Sequence, residues 1–328
     1  MLRAMDSAVS GLRAHQQKLD VIGHNIANVN TVGYKSQSYT FKDTMYQSST
    51  ASTNGTTNSG GVNAAQFGYG SLMGTISMDM TASTATYVGG FAATIDGQGF
   101  FATKTEKLAP ITGLSGDGQA DTTALKTADF DYTRVGQFKV DSNGYIVDGN
   151  GNFLYGFQAK TDGTITNDTL STLRIPKDVK VDANGKPTFT FVDSGVPTDA
   201  LEVQSIKINK AGDIEVSLKY TDPKTNKEQT GTFTIGTAAI VTFQNQEGLT
   251  KDGSNYYKAS ANDNTGVCSA DKPGANRATL MPGYLEASNV DMAVEFSEMI
   301  MAERGFQANS KIITVSDEIL SDLINMKR

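Results

Sequence analysis

The sequence predicts an α+β protein in which two terminal helices pair like a coiled coil and a mainly antiparallel β body lies between them. Apolar residues recur every three or four positions at both ends of the chain, which is the period of an amphipathic helix. The middle instead alternates short apolar runs with turn residues, which indicates strands and hairpins. With 328 residues, the chain is long enough for two domains of ordinary size.

The N-terminal helix is predicted over residues of about 3 to 28. Its apolar positions repeat at spacings of three and four, which gives the helix one apolar face. These positions are Leu2, Met5, Val9, Leu12, Leu19, Ile22 and Ile26. Asn28, Asn30 and Gly33 then end the helical pattern. An apolar face of this kind has to be covered by another surface.

The C-terminal helix is predicted over residues of about 290 to 326. Ser288 and Asn289 are candidate N-cap residues, and Asp291 and Glu295 place carboxylates near the positive end of the helix dipole. The apolar positions that repeat along this helix are Met292, Phe296, Met299, Phe306, Ile313, Leu320 and Ile324. The two apolar faces can cover each other, and any face left over has to be covered by further copies of the chain.

The chain between the helices changes character twice. Residues 47–61 carry almost no apolar side chain, so we expect a flexible connection or one that a partner orders. Short strands follow, and alternating apolar residues around Asn143-Gly144 and around residues 209–213 predict hairpins. The expected regions are a helical region of residues 1–71 and 289–328, a β body of residues 72–158 and 201–288, and an insertion or small outer β subdomain of residues 159–200.

Composition limits the possible partners. The 28 Lys and Arg residues against 35 Asp and Glu residues give a net charge of −7, which argues against a nucleic-acid partner. Cys268 is the single cysteine, so no intramolecular disulfide is possible. No apolar run is long enough to span a bilayer, and charged residues interrupt the N-terminal segment where a cleavable signal would be apolar. We expect an intracellular protein, or one exported without a cleaved signal.

No residue pattern supports an enzyme. His15 and His24 are the two imidazoles, and both are expected on the flank of the N-terminal helix without a nucleophile or an orienting partner. Cys268 lies in a segment that reads as a loop and has no basic cluster to activate its thiol. We therefore expect no catalytic residue and no small-molecule substrate.

Two glycine-rich segments have the outline of ligand sites but lack their essential residues. "DSNGYIVDGNGN" alternates Asp and Asn like a calcium loop, yet Phe153 stands where the loop glycine belongs and no glutamate closes the pattern. "DGQGFF" has Gly97 and Gly99 but no third glycine and no following helix, so a dinucleotide site is unsupported. The first segment is predicted as hairpin turns and the second as a tight turn between strands, with no metal and no cofactor.

Four segments resemble a known family. They are "SAVSGLRAHQQKLDVIGHNIANVNTVGYKSQ", "TIDGQGFF", "YTRVGQFKVDSNGYIVDGNGNFLYGF" and the C-terminal segment from "GYLEASN" to "INMKR". In this order they closely resemble the bacterial flagellar hook and rod proteins. The motif residues within "NIANVNTVGYK" are Asn25, Ala27, Asn28, Thr31, Gly33, Tyr34 and Lys35.

The resemblance implies a tube built from many copies of the chain. It implies that Leu2 to Asn28 and Asn289 to Arg328 form a helical inner layer, while the β body forms the outer layer. It also implies uncleaved export through the flagellar type III apparatus to the extracellular part of the flagellum. The implied partners are the hook cap, the distal rod and the hook–filament junction proteins.

Within this family the C-terminal ending looks more like the hook than the distal rod. Hook proteins often carry an extra outer β domain, and only residues 159–240 could supply one here. A compact hook protein that acts as a curved universal joint is therefore the first hypothesis, and a distal-rod protein is the second. A third, from another class, is a soluble β-rich carbohydrate-binding module, although the chain has no Trp for stacking on sugars.

Overall fold

The computed structural model of the protein describes most of the chain. The described residues are 2–55, 60–112, 122–166, 168–176, 178–181, 187–191, 203–221, 228–260, 262–274 and 278–326. Helix α1 spans Leu2–Ala27, the short helix α2 spans Thr122–Thr127, and α3 spans Met292–Met326. The predicted fold class is confirmed, since two long terminal helices flank an antiparallel β-rich middle. No helix in these residues is long and apolar enough to cross a membrane.

Strands fill most of the described chain between α1 and α3. They are β1 (Gln37–Asp43), β2 (Tyr46–Thr50), β3 (Ala65–Gly68), β4 (Ser71–Met78), β5 (Ala85–Tyr87), β6 (Ala93–Asp96), β7 (Phe100–Lys104), β8 (Ile111–Thr112), β9 (Asp131–Thr133), β10 (Phe138–Val140), β11 (Ile146–Asp148), β12 (Phe153–Gln158), β13 (Thr169–Thr172), β14 (Asp178–Val181), β15 (Pro187–Thr190), β16 (Val203–Ile208), β17 (Asp213–Thr221), β18 (Glu228–Ala238), β19 (Ile240–Phe243), β20 (Thr250–Gly253), β21 (Tyr256–Lys258), β22 (Cys268–Asp271), β23 (Thr279–Pro282) and β24 (Tyr284–Glu286).

The chain divides into two compact units, each built from separate stretches of sequence. The first unit contains α1, Lys35–Asp79 and α3. The second contains Thr31–Tyr34 and Met80–Asn289. The first four residues after Asn30 therefore belong to the second unit before the chain returns to the first.

The first unit combines the two long helices with two antiparallel strand pairs, β1 with β4 and β2 with β3. Helix α1 packs against α3 and against β1 and β4. Residues 47–61, expected to form a flexible connection or one that a partner orders, are paired over part of the segment. β2 reaches into it, and Thr53 pairs with Val62 beyond the strand ends, while residues 56–59 lie outside the described residues. Backbone hydrogen bonds form this ribbon without an apolar core, which is why side-chain composition did not reveal it.

The second unit is built around one large antiparallel sheet. Its central path runs β16-β17-β18-β12-β7-β9-β21-β20. The hairpin predicted at Asn143-Gly144 is confirmed by the pairing of β10 with β11, and the hairpin around residues 209–213 by the pairing of β16 with β17. The main hydrophobic cluster of this unit includes Phe101, Phe138, Leu154, Ile214, Val216 and Ile235.

The start of α3 differs from the prediction. Asp291 is the cap, because its Oδ1 accepts the backbone N–H groups of Ala293 at 2.8 Å and Val294 at 3.3 Å. Ser288 lies before the helix, where its carbonyl accepts a hydrogen bond from the Ser83 hydroxyl at 3.0 Å. The chain is still held by the second unit at Ser288, so the helix cannot begin there.

Candidate assembly surfaces and the motif junctions

Helices α1 and α3 approach each other closely because small residues lie at their contact. A Cβ atom added to Gly305 would lie 2.5 Å from Cε1 of His15, and one added to Gly11 would lie 2.8 Å from Nδ2 of Asn309. Ala302 is buried on the same side of α3. Small side chains of α3 thus allow α1 to approach closely, while several large apolar side chains of that helix, such as Phe296 and Met301, remain exposed.

The predicted apolar positions fall into three groups by exposure. Ile22 is buried, while Met5, Leu12, Leu19, Ile26, Met299, Ile313 and Leu320 are half-buried. Val9, Met292, Phe296, Phe306 and Ile324 are exposed, and the side chain of Leu2 lies outside the described residues. A seven-residue repeat drifts by about 20° per heptad around a straight helix. The predicted seam of α3 therefore winds around the helix, and its role in polymer contacts stays a prediction.

A second exposed apolar stripe runs along α3. The sequence analysis predicted only one set of repeating apolar positions on this helix and therefore missed it. It consists of Val294, Met301, Ile312, Val315, Ile319 and Met326. At 3.6 residues per turn, Met301 and Phe306 point roughly 140° apart. Helix α3 is consequently apolar on two sides, beyond the side that faces α1. The same three-four spacing was present in the sequence, but it was hidden because nearly every turn of α3 carries several apolar residues.

Asn25 joins three elements of the first unit. Its side chain is only 1% exposed. Its Oδ1 accepts the backbone N–H of Gln37 at 3.0 Å, while its Nδ2 donates to the Gln37 carbonyl and to Oε1 of Glu295, both at 2.8 Å. Burial raises the pKa of the Glu295 carboxyl, and the hydrogen bond from Asn25 partly opposes that rise. An amide both donates and accepts, so this motif residue fixes the end of α1 against β1 and the first turn of α3.

The other motif residues form the turn after α1. Asn28 donates from Nδ2 to the carbonyl of His24 at 2.9 Å, and Ala27 is exposed. The carbonyl of Thr31 accepts the Tyr34 N–H at 3.3 Å, which closes the turn. Lys35 is fully buried at the point where the chain re-enters the first unit.

Two side-chain contacts hold residues 31–34 within the second unit. Nδ2 of Asn255 donates to the Val32 carbonyl at 2.8 Å. Lys251 places its Nζ 4.6 Å from the centre of the Tyr34 ring, and burial lowers the pKa of this lysine to about 8. Gly33 has φ +70°, a left-handed conformation that glycine adopts without strain.

A buried ion pair lies at the centre of these contacts. Nε of Arg134 donates to Oε2 of Glu286 at 2.7 Å, and both side chains are almost fully buried. The remaining guanidinium donors reach three backbone carbonyls: Gly97 at 2.9 Å, Gly99 at 3.3 Å and Ile95 at 3.4 Å. The predicted tight turn at these glycines is confirmed between β6 and β7, and Arg134 holds it from inside the protein.

The segments that carry the family resemblance meet at this pair. "TIDGQGFF" supplies the carbonyls, "YTRVGQF" supplies Arg134, and "GYLEASN" supplies Glu286. Gly33 of "NTVGYK" donates its backbone N–H to the Glu286 carbonyl at 2.8 Å, and the Ser83 N–H reaches Oε1 of Glu286 at 3.1 Å. Sequence reasoning missed both charged residues; the available signal was a single Arg directly after β9 and a single Glu at the end of β24.

The residues weighed in the sequence as calcium-loop and thiol candidates have structural roles. Oδ1 of Asp148 accepts the backbone N–H groups of Asn150 at 2.9 Å and Asn152 at 3.0 Å, as in a hairpin turn, and the Tyr256 hydroxyl donates to its other oxygen. Among the described residues, no three or more His, Cys, Asp or Glu side chains are arranged to hold a metal. The loop expected at Cys268 is wrong, because this residue begins strand β22 and is buried, which raises the pKa of its thiol.

The packing of His15 between α1 and α3 predicts that acid destabilises the helix pair. Its ring lies against Gly305 of α3 and 5.2 Å from the Phe41 ring, and among the described residues its Nδ1 has no hydrogen-bond partner. Burial, followed by the charge of Lys18, lowers the pKa of His15 below 6.5. The folded state therefore binds fewer protons than the unfolded state near pH 6, so stability should fall as pH drops through the unfolded pKa.

Thermal unfolding followed by the helical circular dichroism signal between pH 7.5 and 5 checks this expectation. His15→Gln should flatten the pH dependence over that interval. His24→Gln should retain it, because the His24 side chain is exposed. Equal slopes for wild type and His15→Gln would exclude His15 as the titrating group.

Comparison with known proteins identifies the family. A family model described as "Flagella basal body rod protein" matches residues 5–35, one described as "Flagellar hook protein FlgE/F/G D1 domain" matches 115–216, and one described as "Flagellar basal body rod FlgEFG protein C-terminal" matches 281–326. The flagellar basal-body rod protein FlgG of Bacillus subtilis is 39% identical over 330 residues, covering all of both chains. The chain belongs to the flagellar hook and rod axial protein family. Members of this family are structural proteins of the flagellum.

Hook proteins of the axial family align with this chain at lower identity and over longer alignments than the rod protein of Bacillus subtilis does. The flagellar hook protein FlgE of Escherichia coli is 30% identical over 411 residues, covering 99% of this chain, and FlgE of Borreliella burgdorferi is 26% identical over 465 residues, covering all of it. These comparisons favour the rod alternative over the hook hypothesis. The C-terminal segment misled the sequence analysis because the model that matches it is common to hook and rod proteins.

Proposed function

We propose that this protein is the distal-rod subunit of the bacterial flagellar basal body. The observation that carries the proposal is the end-to-end match of its 328 residues to a rod protein over only 330 aligned positions. Alignments to the hook proteins of E. coli and B. burgdorferi extend over 411 and 465 positions, so those hook chains contain long segments that this chain lacks.

In this role, as the family resemblance implies, the terminal helices form the inner layer of a tube and the β body forms the outer layer. The apolar stripe through Met301 and the exposed residues around Phe306 lie on different sides of α3, so a single two-fold contact cannot cover both. Two different neighbours can cover them, and contacts between unlike surfaces generate an open helical assembly. The predicted polymer residues of α1 and α3 are proposed to lie in these contacts.

The proposed location and partners follow from this role. The subunit leaves the cytoplasm uncleaved through the flagellar type III export apparatus and adds to a rod that continues into the hook. Its neighbours along the axis are other copies of itself, with rod and hook proteins at the two ends of its segment. This placement rests on the family and on the proposed branch.

Electron microscopy of the purified protein under polymerising conditions tests the proposal. A distal-rod subunit should form straight tubes, because a rod transmits torque without bending. Curved tubes would restore the hook hypothesis, and a protein that remains monomeric at all concentrations would argue for a binding module. A chain ending at residue 289 lacks α3 and serves as the matched control, which should form no tubes.

A further inference from the structure

Three Asn-Gly pairs lie in the described part of the chain, at Asn54, Asn143 and Asn150. In such pairs the glycine backbone nitrogen can attack the asparagine side-chain carbonyl. This forms a succinimide and releases ammonia, and water then opens the ring to aspartate or isoaspartate. Glycine favours the attack because it has no Cβ and its backbone is mobile. The three pairs differ in how firmly the reacting groups are held.

The pair at Asn143-Gly144 is locked by Asp141 at the tip of the β10–β11 hairpin. The attacking nitrogen, the Gly144 N–H, donates to the Asp141 carbonyl at 2.9 Å. The group that must leave, Nδ2 of Asn143, donates to Oδ2 of Asp141 at 3.2 Å. Both hydrogen bonds have to open before the ring can close, which makes reaction dependent on local unfolding of the turn.

The pair at Asn150-Gly151 is locked in the same way. The Gly151 N–H donates to the Asp148 carbonyl at 3.2 Å, and Nδ2 of Asn150 donates to the Tyr256 hydroxyl at 2.9 Å. The backbone N–H of Asn150 is also held, by Oδ1 of Asp148 at 2.9 Å. Attack at this position again requires the turn to open.

The pair at Asn54-Gly55 is placed differently. Both residues are exposed and follow the last described pairing of the β2–β3 ribbon, where the Thr53 N–H donates to the Val62 carbonyl at 2.9 Å. Within the part of the chain that the structure describes, no hydrogen bond holds the Gly55 N–H or the Asn54 side-chain amide. The nucleophile and the leaving group are thus both accessible without unfolding.

We propose that Asn54 is a site of spontaneous deamidation in the folded protein, with water as the co-reactant. Residues 44–78 contain no charged side chain, although the chain as a whole is 19% charged. Conversion of Asn54 would place a negative charge in this otherwise uncharged part of the first unit. The inference does not depend on the proposed distal-rod function, since it concerns the isolated chain.

The test is to incubate the full-length protein at pH 8 and follow the three sites by peptide mass spectrometry, with enzymatic methylation to detect isoaspartate. Asn54 should convert at least about tenfold faster than Asn143 and Asn150, as expected if each locked turn needs a local opening. Similar rates at all three sites, or no conversion at Asn54, would overturn the proposal.

Two controls separate the hydrogen bonds from the local sequence. In denaturant the three sites should react at similar rates, because the turns are lost. A persistent advantage of Asn54 in denaturant would attribute its reactivity to sequence and overturn the structural argument. Gly55→Val should slow the reaction at Asn54 by hindering attack and leave the other two sites unchanged.

Discussion

Replacing Phe306 by aspartate is expected to yield a folded subunit that does not assemble. Phe306 is 38% exposed in the single chain, so a charge there can remain hydrated before assembly. In the proposed tube the same position is packed against a neighbouring copy, and an unpaired carboxylate in such a contact costs several kcal/mol. The penalty recurs at every subunit, which is why a single substitution should abolish tube formation.

Sedimentation and electron microscopy measure assembly, while circular dichroism reports whether the chain is folded. Gln307→Asp is the matched control, because Gln307 is exposed on the adjacent position of α3 and bonds only to Glu303 among the described residues. It should assemble like the wild type. Normal tubes from Phe306→Asp would place this side of α3 in solvent.

Met301→Asp extends the same argument to the second stripe. Met301 is 61% exposed and lies on another side of the helix. If both sides contact neighbours, this variant should also fold and fail to assemble. Assembly of Met301→Asp together with failure of Phe306→Asp would mean that one side alone carries the polymer contacts.

Replacing Arg134 by methionine should strongly destabilise the second unit. The substitution leaves Glu286 buried without its counter-ion and leaves the carbonyls of Gly97 and Gly99 without these donors. Breaking a buried ion pair by removing one partner typically costs about 3–5 kcal/mol. Denaturant unfolding followed by circular dichroism should show a lower midpoint, and the free energy of unfolding derived from it should fall by this amount.

The exposed pair of Lys258 and Asp252, 2.8 Å apart, provides the control. Asp252→Asn should cost less than about 1 kcal/mol, as is usual for ion pairs in water. Glu286→Leu in the Arg134→Met background should recover part of the loss, because no buried charge remains unpaired. A cost for Arg134→Met no larger than that of Asp252→Asn would contradict the central role of this ion pair.

Local patterns predicted the elements that local interactions determine. The helical period placed both long helices within two residues of their observed ends, at Leu2–Ala27 and Met292–Met326. Asn143-Gly144 marked its hairpin because the turn itself demands a residue with positive φ, and Gly144 has φ +79°. The β2–β3 ribbon was missed because its strands bury nothing.

The contacts that Arg134 makes with Glu286 and Asn25 with Glu295 could not be predicted, since each joins residues far apart in the chain. Arg134 and Glu286 are separated by 152 positions, and Asn25 and Glu295 by 270. No periodicity links such residues, and only the fold brings them together. The second stripe of α3 was missed for a different reason. The helix is apolar on several sides, but its apolar residues were assigned to a single repeating set.

The discontinuous first unit also imposes an order on folding during synthesis. Apart from residues 31–34, the second unit is one continuous stretch, Met80–Asn289, and the Ser83 hydroxyl lies 3.0 Å from the Ser288 carbonyl, so the two ends of that stretch are adjacent. Closing a long loop costs little once its ends are already close. Helix α1 is synthesised first, but it cannot pack against α3 until the C-terminal end of the chain has been made. In the proposed rod, the capacity to polymerise is therefore expected to be the last property that the growing chain acquires, which would limit premature association of nascent subunits.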